Sequence, residues 1–343
     1  GDQASGRVGL VSTARRSLLA LDLAARLQAQ DVAEDDGGLI AYAERLARRR
    51  EGSRALSMKH LAPLAASYER AELAYRLRGE GAPPVFEAHH APVQHGKTTL
   101  IQANILRTLR RNPKAWIAYP AYSSTTAEAK MYEVRQLAPG EGIRIDPNFD
   151  TSEEWRTKEG GGVVCGGIVG GPWTSRGFDF IFPDDPYKTA QDAYSLTWRT
   201  NVENAFWTAL WTRRRAWTSI INNAARWHPN DLTGSLKKRG WPYVCLPAID
   251  RQGRALWPER WPLDELLAIR DGRAANEHSA AISAVPSTVW ASLYQGDPRP
   301  SDGRVFDPAH LLTYSALPPE HFPYREAMGC DLAYGARARH DRS

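Results

Sequence analysis

The stretch "APVQHGKTTL", residues 91–100, limits the possible folds more than any other. It lies between a short run suited to a strand, Val85 to His90, and a helical pattern from Lys97 to Arg111. A Gly-Lys-Thr between strand and helix makes a phosphate cradle, because successive backbone N–H groups and a helix N-terminus point at anionic oxygens. The lysine of such a loop reaches the outer phosphates, and the next hydroxyl binds Mg²⁺. Gln94, His95, Gly96, Lys97, Thr98 and Thr99 are therefore the candidate nucleotide-binding residues. The G-x-x-x-x-G-K-T spacing is met except that Ala91 stands where the first glycine belongs. Alanine is tolerated there if the backbone does not need a positive φ. The competing reading is an ordinary helix that happens to open with Gly-Lys-Thr.

A nucleotide motor needs further parts, and the order of elements provides places for them. Helical patterns cover 13–30, Leu39 to Arg50 and Met58 to Arg78. After the phosphate loop come a strand in "AWIAYPAY", a helix through Leu137 opened by a Thr-x-x-Glu capping pattern at 125–128, and a Gly-rich strand or hairpin in "GVVCGGIVGG". "FDFIFPDD" reads as a buried strand, 191–211 as helical, and "AWTSIINNA" and "YVCLPAI" as strands. This alternation predicts an α/β fold with a mainly parallel sheet and helices on both faces, the P-loop (ASCE-type) ATPase class. Ligands of such sheets bind at the carboxyl ends of the strands. The expected domains are an N-terminal helical segment 1–57, an ATPase core 58–249, a loop-rich linker or lid 250–324, and a new strand in 325–343.

Three further segments match the parts. "FDFIFPDD" ends a buried strand in acid, which puts Asp184 where it can hold Mg²⁺ and Asp185 where it can act as the base for the attacking water. Pro183 donates no hydrogen bond and fits only at the strand's end. Arg176, in "TSRGFD", is a candidate for stabilising the transferring phosphate, in its own subunit or a neighbour's. In "INNAARWHPNDLTG" a polar tip on a strand can sense the γ-phosphate. Asn222, Asn223 and Arg226 are the coupling candidates, and only one asparagine can face the nucleotide because strand neighbours alternate.

Composition is consistent with this and narrows little. The chain has 343 residues, 42% of them hydrophobic and 24% charged, which suits a folded domain with a real core. A net charge of +5 suits a nucleic-acid partner without requiring one. The three cysteines form no CxxC pair and imply a reducing setting. No uncharged run is long enough for a membrane span. Twelve tryptophans, several beside proline, read as packing of irregular connections.

Taken in order, "PVQHGKTT", "AYPAYSSTTAEAKMYEVRQL", "EEWRTKEGGGVVCGGIVGGPWTSRGFDFIFPDDPYK", "ARWHPNDLTG", "VWASLYQGDPRPSDGRVF" and "GCDLAYGARARHD" resemble the large subunit of tailed-phage DNA-packaging terminases. The resemblance runs from about residue 58 to the end. It implies an ATPase that drives double-stranded DNA into an empty capsid, with ATP and Mg²⁺ as cofactors, followed by an RNase H-like nuclease that uses divalent metal (Mg²⁺ or Mn²⁺). It also implies a homo-oligomeric ring on the phage portal protein, a small terminase subunit as partner, and the host cytoplasm as location. Lys97 and Thr98 match the phosphate-loop positions, Asp184 and Asp185 the acidic motif, and Arg176 an arginine finger. "ARWHPNDL" matches the coupling motif, with Ala225 where a threonine is common. Asp331 matches the first metal-binding aspartate of the nuclease, and Asp341 falls where a second acid often appears. The nuclease stops after its first strand, so this chain is expected not to cut DNA. Basic clusters at Arg107/Arg110/Arg111, 213–215 and 237–239 are candidate DNA contacts. A helicase-like ATPase and a non-catalytic assembly module remain alternatives.

Overall fold

The computed structural model describes residues 37–52, 56–272 and 283–299. The helix expected at 13–30, Asp331, Asp341 and the whole of the expected nuclease strand lie outside those residues. In chain order the main elements are α1 (Gly38–Glu51), α2 (Ala62–Arg76), β1 (Phe86–His90), α3 (Lys97–Arg111), β2 (Trp116–Ala121) and α4 (Ser124–Leu137). Then come β3 (Ile145–Asp150), β4 (Glu154–Thr157), β5 (Gly162–Gly167), β6 (Phe178–Ile181), α5 (Ala190–Tyr194) and α6 (Leu196–Ala205). The last are β7 (Arg214–Asn223), α7 (Leu232–Lys238), β8 (Tyr243–Cys245) and α8 (Leu263–Asp271).

The strands form one eight-stranded sheet in the order β3-β4-β5-β2-β6-β7-β1-β8. From β5 to β8 every neighbouring pair is parallel. Only β4, next to one edge, runs against the others, pairing antiparallel with both β3 and β5. Helices cover both faces, so β2 and β5 are buried throughout and read as near-continuous apolar runs. On one face Ile117, Tyr119, Phe180 and Phe182 join Leu39, Leu64 and Leu106 from the helices. On the other, Ala118, Phe178 and Ile181 join Val202, Phe206 and Leu236. The mixed α/β sheet flanked by helices matches the expectation from sequence.

β1 carries Glu87 and His89 into this interior, which only hydrogen bonds make tolerable. Glu87 accepts from the Ser67 hydroxyl at 2.6 Å and from Arg70 at 2.5 Å, both on α2. His89 lies 3.2 Å from the Asn223 side-chain oxygen, which also accepts from the Tyr68 hydroxyl at 2.7 Å.

Several local expectations change. The cap of α4 is Ser123, whose hydroxyl accepts from the Thr126 N–H at 3.3 Å, and not the Thr125 pattern. The helical stretch 191–211 breaks at Ser195, which caps α6 by accepting from the Trp198 N–H at 3.2 Å. It then continues as a wider-wound turn, Phe206–Leu210. Pro183 falls beyond β6, where its missing N–H disturbs no ladder. The β3–β4 hairpin was not anticipated.

Candidate nucleotide site

The parallel strands deliver their carboxyl ends to one edge, and the candidate residues gather there. β1 leads into the phosphate loop, β6 into Asp184 and Asp185, and β7, which lies between β1 and β6, ends at Asn223. Two strand spacings make about 10 Å between the loop and the acids, a gap that a lysine side chain and a carboxylate close together.

The loop turns on two residues of positive φ, Gln94 at 58° and Gly96 at 81°. Ala91 is not among the positive-φ residues and its methyl is buried, so glycine is not required at that position. Gly96 is the N-terminal cap of α3 and no side chain caps the helix. The first N–H groups of α3 have no partner within the helix, which is what an anion needs.

Lys97 Nζ donates to Asp185 Oδ1 at 2.7 Å. The same oxygen accepts from the Ala225 N–H at 2.7 Å, so the end of β7 is tied to the acid by backbone. Burial alone would raise the Asp185 pKa, but the Lys97 ammonium outweighs it and holds the carboxyl below its usual range. Asp185 itself sits at φ 45°, a left-handed conformation that an L-residue adopts at a cost and that clusters at functional sites. Asp184 is fully buried. Its Oδ2 accepts from the Tyr119 hydroxyl at 2.6 Å, the Thr98 hydroxyl at 3.0 Å and Lys130 Nζ at 3.1 Å. Its Oδ1 is buried with no hydrogen-bond partner. A buried carboxylate oxygen left this way is an open acceptor, placed to meet a donor or a cation. Mg²⁺ held by one carboxylate and one hydroxyl, with phosphate oxygens and water as its other ligands, fits this donor set. Among the described residues no group of three or more His, Cys, Asp or Glu side chains is placed to hold a metal without a substrate's help.

A cavity of about 400 Å³ opens over the loop. Gln94, Gly96, Lys97, Thr98, Thr99 and Asp185 line its floor, and Leu56, Met58, Trp257 and Arg260 its far side. The volume lies in the range of small-molecule sites. His95 does not line it. Its ring is buried, 2.9 Å from the Val93 carbonyl oxygen and stacked beside Trp261. His60 meets the His95 carbonyl oxygen at 2.9 Å and stacks on Trp257 at 4.3 Å. His95 therefore ties the loop to the 257–261 segment, and burial lowers its pKa to about 4, which keeps it uncharged.

The remaining candidates go elsewhere. Arg176 lies at the opposite, amino-terminal edge of the sheet, just ahead of β6. It donates to both oxygens of Glu154 at 2.8 and 2.9 Å and covers the Trp116 ring. A whole strand length separates it from Lys97, so it does not reach the loop of its own subunit. Asn222 donates to Thr233 at 2.8 Å and Asn223 belongs to the Tyr68–His89 network, so neither makes a hydrogen bond to the loop. Arg226 clamps Asp231 with contacts of 3.0 and 2.9 Å and lies over the Tyr243 ring. The β7 end meets the acid through backbone, the Ala225 N–H donating to the Asp185 carboxylate and the Asp185 N–H to the Asn223 carbonyl at 2.9 Å, contacts invisible to a search for polar side chains. Lys130 and Tyr119 were also missed, because nothing in their spacing marks them as neighbours of Asp184.

No protein-family model matches this chain, and no curated protein does. Among solved structures, the large terminase from a thermophilic bacteriophage is similar over 53% of this chain and 44% of that one, at 8% identity and TM-score 0.34. The likeness is to part of a large terminase. The same terminase in complex with ATP-gamma-S matches over 53% of this chain and 46% of that one, at 8% identity and TM-score 0.33. The match thus spans less than half the length of those chains.

The candidate DNA contacts are mostly engaged within the chain. Arg107 and Arg111 pair with Glu72, and Arg110 lies 3.8 Å from Glu141. Arg215 pairs with Asp179, and Arg239 with Glu203 at 3.3 Å. Among the described residues no helix is long and apolar enough to cross a membrane.

Proposed function

We propose that this site binds ATP with Mg²⁺ on the first turn of α3 and hydrolyses it, and that the chain is the ATPase part of a motor packaging double-stranded phage DNA. The observation that carries the reading is the hydrogen-bonded Thr98–Asp184 pair, with one buried carboxylate oxygen unpartnered, directly beside the Lys97–Asp185 pair.

Polyphosphate gives Lys97 a more anionic partner than Asp185. As the ammonium turns to the β- and γ-phosphates, Asp185 loses the charge that depressed its pKa and becomes a better proton acceptor. The Ala225 N–H continues to hold Oδ1, leaving Oδ2 to take a proton from water in line with the γ-phosphate. Thr98 and Asp184 would hold Mg²⁺, which supplies charge neutralisation across the outer phosphates. Leu56, Met58 and Trp257 offer an apolar surface to the base. When product leaves and Lys97 returns, the change at Asp185 is felt at the end of β7 through Ala225, and the Arg226–Asp231 clamp carries it towards α7.

The motor reading rests on the motif series outside the phosphate loop. The portal, the small subunit, a ring of copies, a location in the host cytoplasm and on the capsid, and cleavage by the complete protein belong to it as expectations. Arg176 enters only as a group offered to a neighbour's nucleotide, for which it must first leave Glu154.

The test is ATP hydrolysis with double-stranded and single-stranded DNA of unrelated sequences at low and moderate salt. A translocase is expected to be stimulated by any duplex, with the stimulation falling steeply as salt rises because its contacts are to phosphate. Stimulation by single strands alone would replace the packaging reading with the helicase-like one.

A further inference from the structure

Lys130 puts a cation beside Asp184 and Thr98 while leaving Asp184 Oδ1 open. It rises from α4, whose inner face is fixed by buried Ala127, Met131 and Val134, and its own carbonyl oxygen accepts from Gln102 at 2.9 Å. The ammonium lies 3.1 Å from Asp184 Oδ2 and 3.5 Å from the Thr98 hydroxyl. These are the two groups that would hold the cation beside a phosphate loop.

The charges close on themselves. Lys97 offsets Asp185, and Lys130 offsets Asp184. A divalent cation arriving alone would turn a balanced, largely buried cluster strongly positive, and would meet the Lys130 ammonium within a few ångströms. A cation arriving on a polyphosphate brings net negative charge with it, and the displaced ammonium then finds phosphate oxygens. About a quarter of the Lys130 side chain is exposed, so a path outward exists, and its four-carbon stem is flexible.

We propose that Lys130 is an internal stand-in for the divalent cation, closing the metal subsite of the nucleotide-free protein and yielding it only to metal carried by a nucleotide. The proposal rests on the nucleotide reading of this site. It makes Lys130 a gating residue for metal, with no part in moving a proton.

The experiment is a titration of nucleotide-free protein with Mn²⁺, followed by electron paramagnetic resonance of free against bound ion. Wild type is expected to bind Mn²⁺ at least tenfold more weakly than Lys130→Met. The double variant Lys130→Met/Asp184→Asn is expected to lose the gain. Lys130→Gln, whose amide keeps a hydrogen bond to Asp184, serves if the methionine variant does not fold. A folded charge-removing variant that binds Mn²⁺ no tighter than wild type overturns the proposal, as does a gain that survives loss of Asp184. Binding of a fluorescent ATP analogue to the wild type, on the same samples, reports the nucleotide reading separately. If that binding is absent while the Mn²⁺ gain is present, the nucleotide reading fails and with it the exchange for nucleotide-borne metal, and only the block of the cation subsite by Lys130 stands.

Discussion

At Gly96 the backbone takes φ 81°, and a Cβ there would meet Met58 Cε at 3.4 Å, which is ordinary contact. The obstacle to a side chain is therefore conformational and not steric. Gly96→Ala is expected to lower stability by about 1–2 kcal/mol, the cost of a left-handed alanine, and to weaken nucleotide binding. Thermal melts with and without nucleotide check both. Arg176 gives a contrasting expectation. It pairs with Glu154 at the far edge of the sheet, so Arg176→Ala should leave nucleotide affinity of the isolated subunit within about twofold. A large loss in equilibrium binding would contradict its placement. The residue types Lys97, Thr98, Asp184 and Asp185 were legible because each chemistry has a position in the motif. Arg176 was read from its place before the acidic strand, and a place in sequence does not say which edge of a sheet a side chain occupies.

Between elements, the segment 257–261 docks on the phosphate loop through rings rather than hydrogen bonds. Trp257 stacks on His60 and lies beside His95, and it also walls the cavity. Trp257→Ala is expected to cost about 3–5 kcal/mol, as truncation of a buried tryptophan does, and to loosen nucleotide binding beyond what stability alone explains. Denaturant melts and nucleotide titrations on the folded variant check the two parts. The α2–α3 contact rests on Arg107 and Glu72, each about 2% exposed. Arg111 and Asn112 also reach Glu72, so Arg107→Met should destabilise by less than the roughly 3–5 kcal/mol of a fully orphaned buried charge. Arg107→Met/Glu72→Met should destabilise further because Arg111 then loses its acid, and denaturant melts of both variants check this. The sequence placed Arg107 in a basic cluster and so on the surface, because the acid that holds it is 35 residues away on another helix. The β3–β4 hairpin escaped notice for a related reason. "IDPNFD" is half-buried to exposed, holds a proline and shows no alternation of apolar residues. β2 and β5 were legible because burial on both faces makes them apolar.

Over the whole molecule, buried histidines set the response to acid. Burial lowers the pKa of His60 and His89, takes His90 to about 3 and His95 to about 4. All four are neutral when folded, and the unfolded chain protonates them near 6.5. Their stabilisation is therefore complete above about pH 6.5 and is lost as pH falls towards 4. His95 alone accounts for about 3 kcal/mol over that range. Glu87, held at about 2 by His89, Ser67 and Arg70 against the effect of burial, adds loss of the same sign below about pH 4.5. Melting temperature is expected to fall steadily from pH 7 to pH 4, and a flat profile would contradict the burial of these rings. The histidines could be counted in the sequence, but their burial depends on what β1, the phosphate loop and the 257–261 segment bring together.

The most direct measurement of the central claim is steady-state ATP hydrolysis by the wild type beside Lys97→Ala and Asp185→Asn, with ATP-analogue binding measured on each. If the Lys97–Asp185 pair is the resting form of a hydrolytic site, Lys97→Ala weakens binding. Asp185→Asn should still bind, and its turnover should fall by about 10²–10⁴-fold, the contribution of a positioned base. Equal turnover in the wild type and Asp185→Asn would contradict the assignment.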